Sequence, residues 1–427
     1  MNVAIGGLGK IGVPLAVQFA SKRASVVGYD VSAERVDAIN GKHNPIRGEP
    51  GLDEKIPGLV VSGALRATTD ARDAVATAEV VVLIVPVDID ATLRPDFAML
   101  DAAVVAIAPH LRRGVLVIVE TTVPVGTTRH RVGRQIAAAT GIAIGAEFSL
   151  AFSPERVSSG RVLRDLRTYP KIVGGIDQHS AELAAAFYRS MLDADVTVVR
   201  DAETAEFTKL IETTYRDVNI ALANEFARIA DRTGVDALEA IAAANTQPYS
   251  RIHAPGPGVG GHCIPVYPYF LATPETPERP ALDTDLILEA RRINDGMAHY
   301  AVARLVSTLG ALDGKTVLVL GLSYRAGVKE SRHSSALALA SALIGAGAHV
   351  FVDDPLYSAA EIAAHGLDPA PALPMACDAI VVQAWHEEYT ALDFARFPGL
   401  RAILDPRAAL DPAAMTAAGI TYVGVGR

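Results

Sequence analysis

The chain has little cysteine, few aromatic residues and no surplus of positive charge, and each shortage removes a class of function. Two cysteines in 427 residues, Cys263 and Cys377, cannot build a disulfide framework and suit a reducing compartment. With 39 basic against 48 acidic residues the net charge is -9, and no basic stripe interleaved with aromatics occurs, so no nucleic-acid partner is expected. A membrane-length apolar run is also missing. The longest, "ALALASALIGAGAHVFV", is cut by Gly345, Gly347 and His349 and reads as an alanine-rich helix, a turn and a strand. The opening "MNVAIGGLGKIG" lacks the charged-then-apolar layout of a secretory signal. A cytoplasmic protein with no membrane partner and no metal centre is expected.

What is present is apolar material for more than one core. Half of the residues are apolar, and the length favours two or three domains. From residue 1 to about 200, short runs such as "NVAIG", "ASVVGYD", "AEVVVLIVPV" and "GVLVIVET" alternate with alanine-rich helical stretches, the pattern of a parallel sheet under crossover helices. Between about 201 and 248 the period changes: Phe207, Leu210, Ile211, Thr214, Val218, Ala221 and Leu222 mark a long amphipathic helix. A second helical pattern runs from about Asp283 to Leu309, and "GKTVLVLGLSY" opens another strand-and-helix series. The expected fold is α/β, with two Rossmann-like doubly wound domains, residues 1–200 and 311–427, joined by a long-helix central domain, residues 201–310.

In "VAIGGLGKIGVPLAVQFA", Gly7, Gly9 and Gly12 have GxGxxG spacing between an apolar strand and a helix. The first glycine permits a tight turn, the second lets backbone approach a pyrophosphate, and the third lets helix pack on strand. Asp30, eighteen residues past Gly12, ends the second strand; its carboxylate suits an adenosine ribose and repels a 2'-phosphate, which favours NAD over NADP. On spacing alone, Arg35 fits equally a cofactor contact and a solvated surface arginine.

Cys263 stands in "GPGVGGHCIPVYPYF", residues 256–270, where glycines and prolines argue against regular structure. Taken alone, an inert buried thiol is the commoner case, the description that Cys377 also fits. On the long helix, Lys209, Thr213 and Arg216 share a polar face opposite the apolar stripe. That lysine is either solvent-exposed or aimed at a developing oxyanion.

Several long motifs in one order make the chain resemble the UDP-glucose/GDP-mannose dehydrogenase family, and within it the UDP-N-acetylhexosamine 6-dehydrogenase branch. They are "IGGLGKIGVPLA", "VPVD", "ETTVPVGTT", "FSPERV", "EFTKLIETTYRDVNIALANEFARIA", "GPGVGGHCIPVYPYFL" and "VLVLGLSYRAGVKESRHSSAL". The resemblance implies oxidation of the C6 alcohol of a nucleotide sugar to a carboxylate with two NAD+, and a homodimer or higher homo-oligomer paired through the long helices. It implies that Cys263 attacks the intermediate aldehyde, giving a thiohemiacetal and then a thioester that is hydrolysed. It matches Lys209 to an oxyanion-steadying lysine, Glu155 to a glutamate near substrate and water, and Thr122 to a threonine that positions this water. Ile11, Asp30, Arg35 and Val87 fall with the cofactor. Arg216, Tyr249, Gly260, Tyr267, Arg325 and Arg332 fall with the nucleotide sugar, the last two arginines able to pair with its anionic oxygens.

Two positions depart from that pattern. The asparagine usual four residues after the lysine is Thr213, and the aspartate usual four residues after the cysteine is Tyr267. A phenol with a pKa of about 10 cannot replace a carboxylate with one of about 3.9 as charge or base. Either another group, such as Glu155, activates the water, or hydrolysis is slow and the reaction stops at two electrons. A two-electron β-hydroxyacid dehydrogenase, and a nucleotide-sugar-binding relative without catalysis, are the competing readings.

Overall fold

The computed structural model describes residues 1–46, 48–145, 147–273 and 283–427. The chain divides into two compact units, Met1–Glu212 with Tyr269–Asp283, and Thr213–Pro268 with Thr284–Arg427.

The first unit holds an eight-stranded sheet made of β1 (Asn2–Gly6), β2 (Ser25–Tyr29), β3 (Leu65–Thr68), β4 (Val80–Leu83), β5 (Leu116–Val119), β6 (Ser149–Phe152), β7 (Lys171–Gly175) and β8 (Val196–Val198). Its order is β8-β7-β6-β5-β4-β1-β2-β3. Pairing is parallel from β3 through β6, with Val3 level with both Val26 and Val80, whereas β7 runs antiparallel to β6. Strands β4 to β6 are buried at every position, as expected where helices cover both faces of a sheet. Helix α1 (Gly12–Ser21) is buried from Gly12 to Ala20. Phe19 meets Phe187 and Tyr188 of α2 (Gln178–Met191) edge-to-face.

Helix α3 (Ala202–Thr233) passes through the division between the units. Helix α4 (Tyr267–Ala272) overturns the expectation that residues 256–270 lack regular structure. Pro268 is tolerated because the first-turn N–H groups have no intrahelical acceptor anyway.

The second unit contains α5 (Asp285–Leu309), α6 (Ser335–Gly345) and a wholly parallel sheet of β9 (Thr316–Leu320), β10 (His349–Asp353), β11 (Asp368–Pro369), β12 (Ala379–Val382), β13 (Ala402–Asp405) and β14 (Thr421–Gly424). The order, β11-β10-β9-β12-β13-β14, reverses direction at β9, so the crevice between the ends of β9 and β12 is the ligand position of a doubly wound sheet. The two sheets realise the expected α/β class. Among the described residues, no helix is long and apolar enough to cross a membrane.

Candidate active site

The glycine loop of the first unit has the space that a dinucleotide needs. Gly7 adopts φ +104°, and a Cβ there would lie 3.0 Å from the Ile84 carbonyl oxygen. A Cβ on Gly12 would fall 1.8 Å from the Gly7 carbonyl oxygen, so only glycine lets α1 start so close to the turn. Gly9 differs: no atom lies within 4 Å of a Cβ built on it, which leaves its backbone approachable by a phosphate. Ile11 is half-buried at the entry to α1.

Asp30 follows β2 and is buried. Its Oδ2 accepts a hydrogen bond from the Leu8 N–H at 2.7 Å, and its Oδ1 one from the Ser32 N–H at 2.9 Å. Arg35 lies 3.4 Å from the same carboxylate, with 48% of its side chain exposed. A carboxylate locked to the glycine loop, with lone pairs remaining, suits a ribose and thus NAD. Val87, Thr122 and Glu155 come just after β4, β5 and β6, at the same strand ends as the glycine loop. Val87 and Thr122 are buried, and Glu155 is nearly so.

Helix α3 inverts the usual arrangement of an amphipathic helix. Lys209 and Thr213 are buried, along with Glu206, Asp217 and Asn224, whereas Phe207, Ile211, Tyr215, Leu222, Phe226 and Ile229 are exposed. Leu210, Thr214 and Ala221 of the predicted stripe are buried, and Arg216 of the predicted polar face is exposed.

The polar face is inward because it satisfies loop backbone. Glu206 accepts from the N–H groups of Gly126 and Thr128, tying the "PVGTT" turn that follows Thr122 to the start of α3. Burial pushes its carboxyl up to about 8.

In the second unit, Asn219 and Asn224 hold the loop that leads to Cys263. Asn219 donates to the Arg251 carbonyl at 2.7 Å and accepts from the His253 N–H at 2.9 Å, and Asn224 accepts from the Gly256 N–H at 2.9 Å. Asn224 also donates to Asn294 at 2.8 Å, and Asn294 donates to Asp217, which pairs with the buried Arg291. Burial raises the Asp217 carboxyl.

The glycines after Gly256 press on the segment following β9. A Cβ on Gly260 would meet Tyr324 Cβ at 2.5 Å, and Gly261, at φ +95°, donates to the Arg332 carbonyl at 3.0 Å. His262 Nε2 lies 2.7 Å from Glu330. Cys263 is partly exposed, and its carbonyl accepts from the Tyr267 N–H at 2.9 Å, the bond that starts α4. Cys377 is buried, its thiol pushed up to about 11 by burial and then by Asp378, which suits an inert role.

Arg325 lies over the Tyr324 ring, 5.7 Å from its centroid. Arg332 is half-buried, and burial lowers its pKa. Tyr249 is 91% exposed. The second unit thus brings Gly260, Cys263, Tyr267, Arg325 and Arg332 onto one connected set of loops, while Tyr249 projects into solvent.

The residues that sequence reasoning passed over are Glu120, Lys171, Glu206, Asp217, Asn219 and Asn224. The signal for three of them was the recurrence of polar residues at 206, 213, 217 and 224 on one helix face.

The three domain models of the UDP-glucose/GDP-mannose dehydrogenase family match in order: the NAD binding domain over residues 1–192, the central domain over 203–296 and the UDP binding domain over 318–412. The chain is 36% identical to UDP-N-acetyl-D-mannosamine dehydrogenase of Pyrococcus horikoshii, over 92% of this chain and 91% of that one. It is 34% identical to NDP-N-acetyl-D-galactosaminuronic acid dehydrogenase of Ralstonia nicotianae, over 95% of each. The solved structure of UDP-D-ManNAc dehydrogenase from Pyrococcus horikoshii superposes with a TM-score of 0.91 at 34% identity, covering 100% of this chain and 99% of that one. The glycine loop with Asp30, the polar inner face of α3 and the thiol loop therefore belong to an NAD-dependent nucleotide-sugar dehydrogenase, and the chain is a member of the UDP-glucose/GDP-mannose dehydrogenase family.

Proposed function

We propose that the protein oxidises the C6 alcohol of a UDP-N-acetylhexosamine to the uronate, with residues 1–200 binding dinucleotide, 201–310 carrying the catalytic lysine and thiol, and 311–427 binding the nucleotide sugar. The substrate class follows the names of the relatives at 34–36% identity. The observation that carries the chemistry is the anchoring of the Cys263 loop, through Gly260 and Gly261, to the segment that follows β9 at the crevice of the second sheet.

Gly7, Gly9, Gly12, Asp30 and Arg35 hold the dinucleotide, with Ile11 and Val87 beside it. NAD+ supplies the hydride acceptor for each oxidation. The first oxidation leaves an aldehyde, whose planar carbon must become tetrahedral before a second hydride can leave. Cys263 Sγ adds to that carbon and its proton goes to the oxygen, which Lys209 and Thr213 stabilise. The second oxidation leaves a thioester. Thr122 and Glu155 position and deprotonate a water that attacks it, releasing carboxylate, the Cys263 thiol and one proton. Arg216, Tyr249, Gly260, Tyr267, Arg325 and Arg332 form the nucleotide-sugar contacts.

The exposed stripe of Phe207, Ile211, Tyr215, Leu222, Phe226 and Ile229 on α3 supports pairing with a second copy of the chain. A reducing cytoplasm suits the free thiol. A panel of UDP-, dTDP- and GDP-sugars tests the assignment: NADH formation confined to UDP-N-acetylhexosamines supports it, and none across the panel overturns it.

A further inference from the structure

Two charged residues of the first unit, Glu120 and Lys171, surround Glu155 and have no part in the reaction above. Lys171 opens β7, and its side chain is only 4% exposed. It hydrogen-bonds to Glu120, which follows β5, and lies 2.8 Å from Glu155, which follows β6. Tyr188 on α2 donates to Glu120 at 3.1 Å, and Lys171 Nζ lies 4.9 Å from the centroid of that ring. Glu155 also accepts from the N–H groups of Arg156 at 2.7 Å and Val157 at 3.2 Å. The Arg156 guanidinium is engaged elsewhere, with Glu212 at 2.7 Å.

We propose that Glu120, Lys171 and Glu155 form a buried unit that shares one proton, so that Glu155 stays ionised and Glu120 receives the proton which Glu155 takes from water. This rests on the role given to Glu155 above. Glu120 and Lys171 act through Glu155 and are positioning residues.

The charge count requires such sharing. Two carboxylates around one ammonium leave a net negative charge away from water, and one proton cancels it. The surroundings decide where it rests. Glu155 has two backbone N–H donors that an ionised carboxylate uses best, whereas among the described residues the Glu120 carboxyl meets Lys171, Tyr188 and the other carboxyl. Burial, with Glu155 next to it, pushes Glu120 up to about 7 against the pull of Lys171. Burial alone would raise Glu155 too, but Lys171 and the hydrogen bonds from Glu120 and the Arg156 N–H outweigh it and hold it low. The balance closes when Glu120 starts ionised, the form that prevails above its titration near 7: thioester and water give carboxylate, thiol and one proton, and that proton passes from Glu155 to Glu120, which restores the neutral unit.

The test compares wild type, Glu120→Gln and Lys171→Arg. Infrared difference spectra of substrate-free protein across roughly pH 5.5 to 8.5 should show a buried carboxyl deprotonating near pH 7. Its band should vanish in Glu120→Gln and persist in Lys171→Arg. In turnover, kcat should rise with pH through the same region in wild type and Lys171→Arg. In Glu120→Gln this limb should be lost, with kcat down roughly tenfold or more and KM within about twofold. A limb that persists in Glu120→Gln, or wild-type spectra with no carboxyl band in this range that Glu120→Gln removes, overturns the proposal. Should the protein oxidise no nucleotide sugar, the substrate assignment fails and the infrared titration alone decides the shared proton.

Discussion

Replacing Asn224 with alanine cuts the link between α3 and the thiol loop at one point. Asn224 is fully buried, accepts from the Gly256 N–H at 2.9 Å and donates to Asn294 at 2.8 Å. Alanine strands a buried donor and a buried acceptor, at about 1–3 kcal/mol each, so the second unit should lose about 2–6 kcal/mol. Half of that range, about 1–3 kcal/mol, spent on local opening raises the open population of the loop about five- to 150-fold. Urea unfolding followed beside iodoacetamide labelling reads both effects, because Cys263 is partly exposed and Cys377 is only 4% exposed. Asn224→Ala should shift the unfolding midpoint down and label Cys263 at least about fivefold faster, with Cys377 still protected. A loss below about 0.5 kcal/mol together with wild-type labelling would refute the view that α3 holds this loop.

The glycine loop offers a paired test: Gly12→Ala places a Cβ 1.8 Å from the Gly7 carbonyl oxygen and should unfold the first unit at lower temperature, whereas Gly9→Ala should melt as wild type yet lose NAD affinity by calorimetry. Glu206 has its carboxyl raised to about 8, so its contribution is complete below the unfolded pKa of 4.5 and is lost as pH rises through 8, on the order of 5 kcal/mol. Denaturant titrations across that window should show the decline in wild type and a flatter profile in Glu206→Gln. Ile211→Arg with Phe226→Arg, both on the exposed stripe of α3, should halve the mass measured by light scattering. Tyr267→Asp should speed turnover only where thioester hydrolysis limits the wild type.

The glycine loop was legible because its constraints are local: three glycines, a strand before them and an acid at the end of the next strand lie within thirty residues. The α/β, helical, α/β layout was legible for a similar reason, since the apolar runs at 2–6, 25–29, 80–83 and 116–119 all form strands. Helix α3 was legible as a helix but not in its orientation. Periodicity places Phe207 and Ile211 on one side and Lys209 and Thr213 on the other, but which side faces inward depends on loops whose backbone needs partners. The short helix at Tyr267 was hidden by Pro268, which it tolerates in its first turn. The grouping of Glu120 and Lys171 with Glu155 was beyond reach because strand order, not sequence distance, brings them together: Lys171 is 51 residues from Glu120.

Thiol chemistry at Cys263 can be counted directly as NADH released per nucleotide sugar consumed, with the product identified by mass. The account predicts two NADH and a uronate for the wild type, and no uronate from Cys263→Ala. One NADH with an aldehyde product from the wild type, or uronate formed at the wild-type rate by Cys263→Ala, would contradict it.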